Sequence, residues 1–289
     1  MIIKVYTLNA FAKTNNGGNP AGVVLHADEL TEKHMQEIAA KMGLSETAFI
    51  QESKNADYKL RFFTPNKEVD LCGHATIAAF YLLASKGEIQ SGEFTEETGA
   101  GVLKVQCMKD KSIFMNQVNP EFYETLDKKY IADSLNIKEE LITEQLPIQI
   151  VSTGLRDVFI PINSLEALYK IKPDFNKIEK ISEKLKVTGY HLFSLETENT
   201  AIANCRNFAP LYDIPEEAAT GTSSGALSCY LYKYGIINKD NCKNLIFEQG
   251  YSMGRPSEIL ANLEISDGKV IEVKVGGTAL NINEKLICI

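Results

Sequence analysis

A pattern that recurs half a chain length apart constrains the fold more than any other feature of the sequence. Arg61-Phe62-Phe63-Thr64-Pro65 and Arg206-Asn207-Phe208-Ala209-Pro210 both read R-x-F-x-P, and they begin 145 residues apart in a chain of 289. The chain has only four arginines, so a chance recurrence is improbable. The period exceeds the roughly 20–50 residues of a solenoid repeat. The sequence therefore predicts two similar domains.

Each copy of this pattern is followed, after a short turn, by a glycine that opens a stretch of small residues. The two stretches are Cys72–Leu83 and Thr220–Leu231, and both are free of Lys, Arg, Asp and Glu. Alignment of Gly73 with Gly221 also aligns Ala78 with Ala226 and Leu83 with Leu231. A helix without a charged face is typically a buried one. We therefore expect one buried helix in each half of the chain.

The rest of the chain reads mostly as strands, by its β-branched and aromatic content. Helical periodicity is clear in four segments, which are Thr31–Met42, Ala75–Ala84, Asp174–Leu185 and Ser223–Tyr234. Each half of the chain thus has one buried helix among several strands. This pattern predicts an α+β fold in which a layer of strands surrounds a central helix in each half. Asn119–Leu146 is the segment that we expect to connect the halves.

Composition and charge narrow the class of partner. The 30 basic and 38 acidic residues give a net charge of −8, and no basic block stands apart from acidic neighbours. A protein with this charge distribution is not expected to bind nucleic acid or an anionic membrane, because both attract basic surfaces. The longest run free of charge and strong turn formers, Ala75–Ala84, is too short to cross a bilayer. A small-molecule substrate is the expected partner.

The sequence predicts neither a metal nor a cofactor. The six cysteines form no C-x-x-C pair, and the four histidines form no H-x-x-x-H pair. The glycine-rich signatures of dinucleotide and nucleoside triphosphate binding, G-x-G-x-x-G and G-x-x-x-x-G-K-[ST], are missing. Scattered cysteines and the absence of a signal-peptide pattern at Met1–Val5 indicate reduced thiols in a cytoplasmic protein.

The start of each buried helix is a candidate binding site. Free backbone N–H groups and the positive end of the helix dipole lie at this position. We therefore expect the chain at Gly73 and at Gly221 to bind a carboxylate. His74 lies in the first turn, where we expect a neutral imidazole. Cys72 could be a thiol base with a pKa lowered by the same helix end. Its counterpart is Thr220, so a racemase with two thiol bases is not supported.

Three acidic residues are candidates for proton transfer. Glu46 lies between the turn at Gly43 and an apolar strand. Glu216 and Glu217 come just before Gly221, where acidic residues most often cap a helix. An acid near a bound anion could instead have a raised pKa and move protons.

Several separated motifs, in the same order, resemble the PhzF-like phenazine-biosynthesis family, which has the diaminopimelate epimerase fold. The motifs are Gly18-Asn19-Pro20-Ala21, Leu44-Ser45-Glu46-Thr47-Ala48-Phe49, Arg61-Phe62-Phe63-Thr64-Pro65, Glu68-Val69-Asp70-Leu71-Cys72-Gly73-His74-Ala75-Thr76 and Ala219-Thr220-Gly221. The resemblance implies two pseudo-symmetric domains, each a β-barrel around a central helix, with the active site in the cleft between them. We expect the first domain over residues 1–118 with about 279–289, and the second over residues 119–278.

The resemblance also implies the chemistry. In this family the glutamate of the S-E-T-A motif, here Glu46, is the acid/base of a cofactor-free proton transfer. It implies roles for His74 and Glu217 in catalysis, and substrate binding by the residues Asn19, Gly73, Gly221 and Thr222. A homodimer is expected on the same ground.

The second-half motif departs from the family pattern D-P-A-T-G-S. Glu217 stands for the Asp, Ala218 for the Pro and Thr222 for the Ser. The longer acid and the extra methyl group change the shape of the pocket, so the resemblance specifies a reaction type more firmly than a substrate.

Two alternatives stay open from the sequence. The first is an epimerase, racemase or dehydratase on the same fold that uses Cys72 as a single thiol base with Thr220 opposite. The second is a binding or interaction protein without catalysis, suggested by the departures at Glu217 and Thr222. The leading interpretation is an isomerase that shifts a proton in a small carboxylate-bearing metabolite.

Overall fold

A computed structural model describes every residue from Met1 to Ile289. It is a mixed α+β fold of eighteen strands, six α-helices and three short 3-10 helices. The chain divides into two compact units, one of residues 1–116 with 276–289 and the other of residues 117–275. None of the helices combines the length and the apolar character that crossing a membrane requires.

The first unit contains two helices among its strands. In chain order its elements are β1 (Ile2–Ala10), β2 (Asn19–Val24), α1 (Glu32–Met42), β3 (Glu46–Gln51), β4 (Tyr58–Phe63), β5 (Glu68–Val69), α2 (Gly73–Lys86), β6 (Gly92–Thr98), β7 (Gly101–Cys107) and β8 (Ile113–Gln117), which ends at the boundary between the units. The final strand, β18 (Ala279–Cys288), returns to this unit and pairs antiparallel with β1.

The second unit contains four helices. Its elements are β9 (Glu121–Thr125), α3 (Lys128–Leu135), β10 (Gln149–Ser152), β11 (Arg156–Pro161), α4 (Leu165–Lys170), α5 (Phe175–Leu185), β12 (Gly189–Ser194), β13 (Ala203–Ala209), β14 (Ile214–Glu217), α6 (Gly221–Lys233), β15 (Leu245–Gln249), β16 (Ser257–Ser266) and β17 (Lys269–Gly277). The 3-10 helices, Glu139–Leu141, Pro210–Tyr212 and Tyr251–Met253, lie in its connections.

The same succession of strand pairings occurs in both units. In the first, β1 and β2 are antiparallel, β2 and β3 parallel, and β3 and β4 antiparallel, and β4 then pairs with β5 and in parallel with β6. In the second, β10, β11, β12 and β13 follow the same order, and β13 pairs with β14 and in parallel with β15. The sequence repeat is therefore also a repeat of strand topology.

Both helices predicted to be buried are buried. The α2 helix packs against β1, β2, β3, β7 and β18, and its residues from Ala75 to Leu83, apart from Tyr81, are buried. The α6 helix packs against β10 and β16, and all residues from Ser223 to Leu231 are buried. The other two predicted helices are confirmed as α1 and α5.

Asn119–Leu146 was predicted to connect the two halves. This prediction is wrong, because the segment is folded into the second unit. Within it, β9 pairs antiparallel with β10. The α3 helix buries Ile131, Ala132 and Leu135, whose spacing places them on one face of a helix. These residues join a core cluster with α5, so this segment stabilises the unit.

The recurring R-x-F-x-P pattern encodes a repeated packing arrangement. Arg61 lies over the ring of Phe63 at 5.2 Å, and Arg206 lies over that of Phe208 at 4.8 Å. Residues i and i+2 of a strand face the same side, which is why this spacing brings the guanidinium to the ring. Each arginine also binds an acidic residue bidentately: Arg61 donates to Glu68, and Arg206 donates to Glu216.

The two arginines should differ in their contribution to stability. Arg206 is buried, and its guanidinium also donates to the carbonyl oxygens of Leu168 and Ile171 at 3.0 and 2.8 Å. Removal of one partner from a buried pair leaves an uncompensated charge. We expect Arg206→Met to lower the free energy of unfolding by about 3 kcal/mol and the matched Arg61→Met to lower it by about 1 kcal/mol or less. Urea denaturation of the two variants tests this, and equal losses would contradict it.

Candidate active site

Glu46 is the first residue of β3, and the turn between α1 and β3 determines its position. The α1 helix ends at Gly43, which adopts the left-handed conformation with φ 64°, a backbone geometry that favours glycine. The chain then turns through Leu44 and Ser45 into the strand, where Glu46 lies opposite Ala21 of β2 in the parallel register. Its side chain is 19% exposed.

Cys72 and His74 belong to the start of α2. Cys72 is the N-cap residue, and its side chain does not cap the helix in the usual way. Gly73 is the first helical residue and His74 the second. The dipole of α2 thus has its positive end at the two side chains, and the first-turn amides lie beside them.

The structure brings these three side chains together within the first unit. Nε2 of His74 lies 3.2 Å from Oε2 of Glu46. Sγ of Cys72 lies 3.5 Å from Nδ1 and 3.9 Å from Nε2 of the same imidazole. The contact between Glu46 and His74 is an ion pair without hydrogen-bond alignment, and Oε2 of Glu46 is buried. A carboxylate, an imidazole and a thiol meet at one helix end.

The protonation of this group differs from the expectation for His74. Burial opposes the charged imidazole, but the carboxylate of Glu46, 3.2 Å away, favours it, and the pKa of His74 is raised above its usual value. Burial likewise acts to raise the pKa of Glu46, yet His74 holds that pKa below its usual value. The prediction of a neutral imidazole was wrong, because the sequence does not show that a carboxylate lies 3.2 Å away.

The expectation of an activated thiol was also wrong. Burial is the largest influence on Cys72 and raises the pKa of its thiol, although the adjacent His74 acts in the opposite direction. The helix end is therefore not sufficient to make Cys72 a thiolate base.

The second unit has its own polar cluster at the start of α6. Oε2 of Glu217 accepts a hydrogen bond from the hydroxyl of Thr220 at 2.6 Å. The side chain of Gln249 joins them: its oxygen accepts from the backbone N–H of Thr220, and its amide donates to the carbonyl oxygen of Glu217. Gly221 and Thr222 follow as the first two helical residues. Glu216 does not belong to this cluster, because it pairs with Arg206.

Sequence reasoning missed one buried carboxyl in this cluster, that of Asp157. Its Oδ2 accepts from the hydroxyl of Ser223, in the first turn of α6, at 2.6 Å, and its Oδ1 is buried without a hydrogen-bond partner. Burial, with a smaller contribution from the charge of Glu217, raises the pKa of Asp157 to about 7. The available signal was an aspartate inside the apolar strand β11.

Strand register explains why this acid lies where it does. Arg61 pairs with Phe49, and Arg206 pairs with Leu192. Glu46 lies three residues before Phe49, and Gly189 lies three residues before Leu192, so Gly189 is the counterpart of Glu46.

A side chain does not fit at this counterpart position. A Cβ atom at Gly189 would lie 2.0 Å from the carbonyl oxygen of Phe208. Gly189 pairs instead with Asp157, just as Glu46 pairs with Ala21. Each unit therefore has one carboxyl at the equivalent pair of facing strand positions. In the first unit it is Glu46 on the second strand of the parallel pair, and in the second unit it is Asp157 on the first strand.

The remaining predicted binding residue, Asn19, is the first residue of β2. It is buried, and it lies two residues before Ala21, the strand partner of Glu46. In the first unit the structure thus places Asn19 on the neighbouring strand to Glu46, and Gly73 beside His74. In the second unit Glu217, Gly221 and Thr222 lie together at the start of α6.

This geometry pairs a carboxylate with an imidazole, and both are side chains that enzymes use to transfer protons. The family model for phenazine biosynthesis-like proteins matches residues 8–285. An uncharacterized isomerase of Clostridium acetobutylicum is 38% identical, over 96% of this chain and 95% of its own length. The trans-2,3-dihydro-3-hydroxyanthranilate isomerase of Pseudomonas chlororaphis is 27% identical over 97% of both chains. The crystal structure of a PhzF-family phenazine biosynthesis protein of Bacillus anthracis superimposes with a TM-score of 0.88 at 31% identity, covering both chains fully.

The chain belongs to the PhzF family of phenazine biosynthesis-like proteins. Its curated relatives are named isomerases, and this protein is an isomerase.

Proposed function

We propose that the protein is a cofactor-independent isomerase that shifts a proton within a small carboxylate-bearing metabolite, with Glu46 as the acid/base. The observation that carries this proposal is the pairing of Glu46 with His74 at 3.2 Å, at the start of a buried helix. Glu46 takes a proton from a carbon of the substrate and returns it to another atom. The imidazolium of His74 stabilises the carboxylate before the transfer and orients it.

The helix ends supply the binding groups in this proposal. The amides beside Gly73 and Gly221 bind carboxylate oxygens, because the positive end of the dipole favours negative charge. Asn19 and Thr222 contact the substrate, and Glu217, held by Thr220, orients it. The substrate must therefore offer an anionic group and a carbon acid.

The domain organisation belongs to the same proposal. We propose that the two units are pseudo-symmetric domains, each a β-barrel around its central helix. The recurring order of strand pairings and the packing of α2 against five strands support this arrangement. The cytoplasmic location and the homodimer stay predictions.

The thiol-based alternative has less support than it had from the sequence. A single-thiol epimerase needs Cys72 as its base, yet burial raises the pKa of that thiol. Glu46, by contrast, has its pKa held below the usual value and is ionised at neutral pH. The carboxylate is the better base in this site.

Solvent deuterium incorporation tests the proposal. The protein is incubated in deuterated water with trans-2,3-dihydro-3-hydroxyanthranilate, the compound in the name of the Pseudomonas relative, and with a panel of unsaturated and amino-substituted carboxylates. We expect at least one compound to gain deuterium at carbon, as detected by mass spectrometry. Binding of panel compounds without any exchange would contradict the proposed proton transfer.

A further inference from the structure

We propose that Glu46, Cys72 and His74 form a binding site for a thiophilic divalent cation such as Zn²⁺, and that the bound cation switches the enzyme off. The inhibition rests on the proposed function of Glu46, whereas the binding does not. Each residue offers one ligand atom, and these atoms all lie within 4.8 Å of one another. This cation site is an inference beyond the acid/base role of the same side chains.

The separations between the ligand atoms fit one tetrahedral ion. Bonds of about 2.0–2.2 Å to nitrogen and oxygen and about 2.3 Å to sulfur place neighbouring ligand atoms of tetrahedral Zn²⁺ about 3.3–3.6 Å apart. The observed separations are 3.2 Å from Nε2 of His74 to Oε2 of Glu46, and 3.9 Å from the same nitrogen to Sγ of Cys72. The third separation, from Oε2 of Glu46 to Sγ of Cys72, is within 4.8 Å.

The backbone holds these ligands in place before any ion arrives. Cys72 and His74 lie on the first turn of α2, which is anchored by its buried face, and Glu46 lies at the start of a paired strand. Oε2 of Glu46 is buried and makes no hydrogen bond. A buried carboxylate oxygen favours a positive charge beside it; the imidazolium of His74 supplies this charge at 3.2 Å, and a divalent cation would supply it once His74 has lost its proton.

The charge and the chemical type of the three ligands determine which ion the site would bind. A carboxylate, a thiolate and a neutral imidazole carry two negative charges, which a divalent cation neutralises. Binding releases the thiol proton of Cys72 and the second ring proton of His74 to solvent. Sulfur and nitrogen ligands favour Zn²⁺ over Mg²⁺ and Ca²⁺, which prefer oxygen.

Two of the three ligand side chains are partly exposed. The side chains of His74 and Glu46 are 11% and 19% exposed, so solvent reaches the cluster. Three protein ligands leave the fourth tetrahedral position to water. A carboxylate bound to Zn²⁺ no longer accepts a proton freely, which is why occupation stops the acid/base chemistry.

Cobalt titration tests the binding without any substrate. Co²⁺ replaces Zn²⁺ in tetrahedral sites, and a thiolate ligand gives it a charge-transfer band in the near ultraviolet. We expect this band to saturate at one Co²⁺ per chain and to vanish when Zn²⁺ is added. In Cys72→Ser the band should be lost, and affinity for Co²⁺ should fall by about tenfold or more. The matched control is Cys107→Ser, which removes another buried cysteine of the same unit and should keep the band.

The outcomes separate this inference from the proposed function. Absence of the band in the wild-type protein, or an equal band in Cys72→Ser, would overturn the site. Circular dichroism of each variant establishes that it is folded. Deuterium exchange is measured in chelator-treated protein, so a failure there counts against the isomerase proposal alone. Exchange that persists at full occupancy by Zn²⁺ would overturn the inhibition.

Discussion

Replacement of Glu46 by Gln is expected to slow deuterium exchange into the substrate by about 10²–10⁴-fold. Gln fits the space of Glu and can still contact His74, but its amide cannot take a proton from carbon. Binding of the substrate carboxylate should change little, because the helix ends proposed to bind it are unaltered. The measurement is the exchange rate by mass spectrometry, together with the affinity for the same compound by calorimetry.

A nearby glutamate provides the matched control. Glu52 lies just after the end of β3 and is exposed, and its backbone N–H donates to Oδ1 of Asp28. Glu52→Gln makes the same chemical change on the same stretch of chain and should leave the exchange rate unaltered. Full exchange activity in Glu46→Gln would remove Glu46 from its assigned role. Loss of affinity equal to the loss of rate would assign it to binding.

Replacement of Glu96 by Gln is expected to stabilise the fold at alkaline pH by an amount on the order of 4 kcal/mol. Glu96 lies on β6 and is fully buried, and it accepts a hydrogen bond from the hydroxyl of Thr76 on α2 at 3.2 Å. Burial raises the pKa of Glu96 to about 8, against an ordinary value of 4.5. The folded protein therefore holds a proton on Glu96 at neutral pH.

The direction of the pH effect follows from this shift. Below pH 4.5 Glu96 is protonated in both the folded and the unfolded chain, and its contribution to stability is fully present. Between pH 4.5 and about 8 the unfolded chain binds fewer protons than the folded one, so stability falls as pH rises. Gln cannot ionise, so the variant avoids this loss and keeps a hydrogen bond to Thr76.

Urea denaturation at pH 5, 7 and 9 measures the difference between the wild-type protein and Glu96→Gln. The gap in the free energy of unfolding should widen with pH and level off above about pH 8. The control is Glu93→Gln, an exposed position on the same strand, which should show no such gap. A gap that is independent of pH would mean that Glu96 does not titrate in this range.

Much of the fold could be predicted because it depends on local patterns. The repeat of R-x-F-x-P reflects a guanidinium stacked on a ring two residues along a strand, which needs no knowledge of distant residues. The burial of the two small-residue helices could be predicted because a helix without charged residues has no polar face for solvent. The α3 helix was missed because it is short, and its apolar residues fall in a segment rich in charge.

The candidate site was predicted residue by residue but not as an arrangement. Glu46, Cys72 and His74 were each candidates, yet their protonation was misjudged because the distances between them were unknown. Asp157 gave little signal, since an isolated aspartate in a strand is usually a solvated side chain. Its significance comes from the register between β11 and β12, and from the absence of space for a side chain at Gly189.

The sequence by itself determined the class of fold, the two buried helices and the identity of the residues at their starts, because periodicity and small-residue composition act through neighbours along the chain. Only the tertiary structure decided how those residues act together. Glu46 meets His74 through the packing of β3 against the start of α2, 28 positions later in the chain, and that contact holds the pKa of the carboxyl down and that of the imidazole up. Charge interactions depend on distance in space, which no pattern along one sequence records.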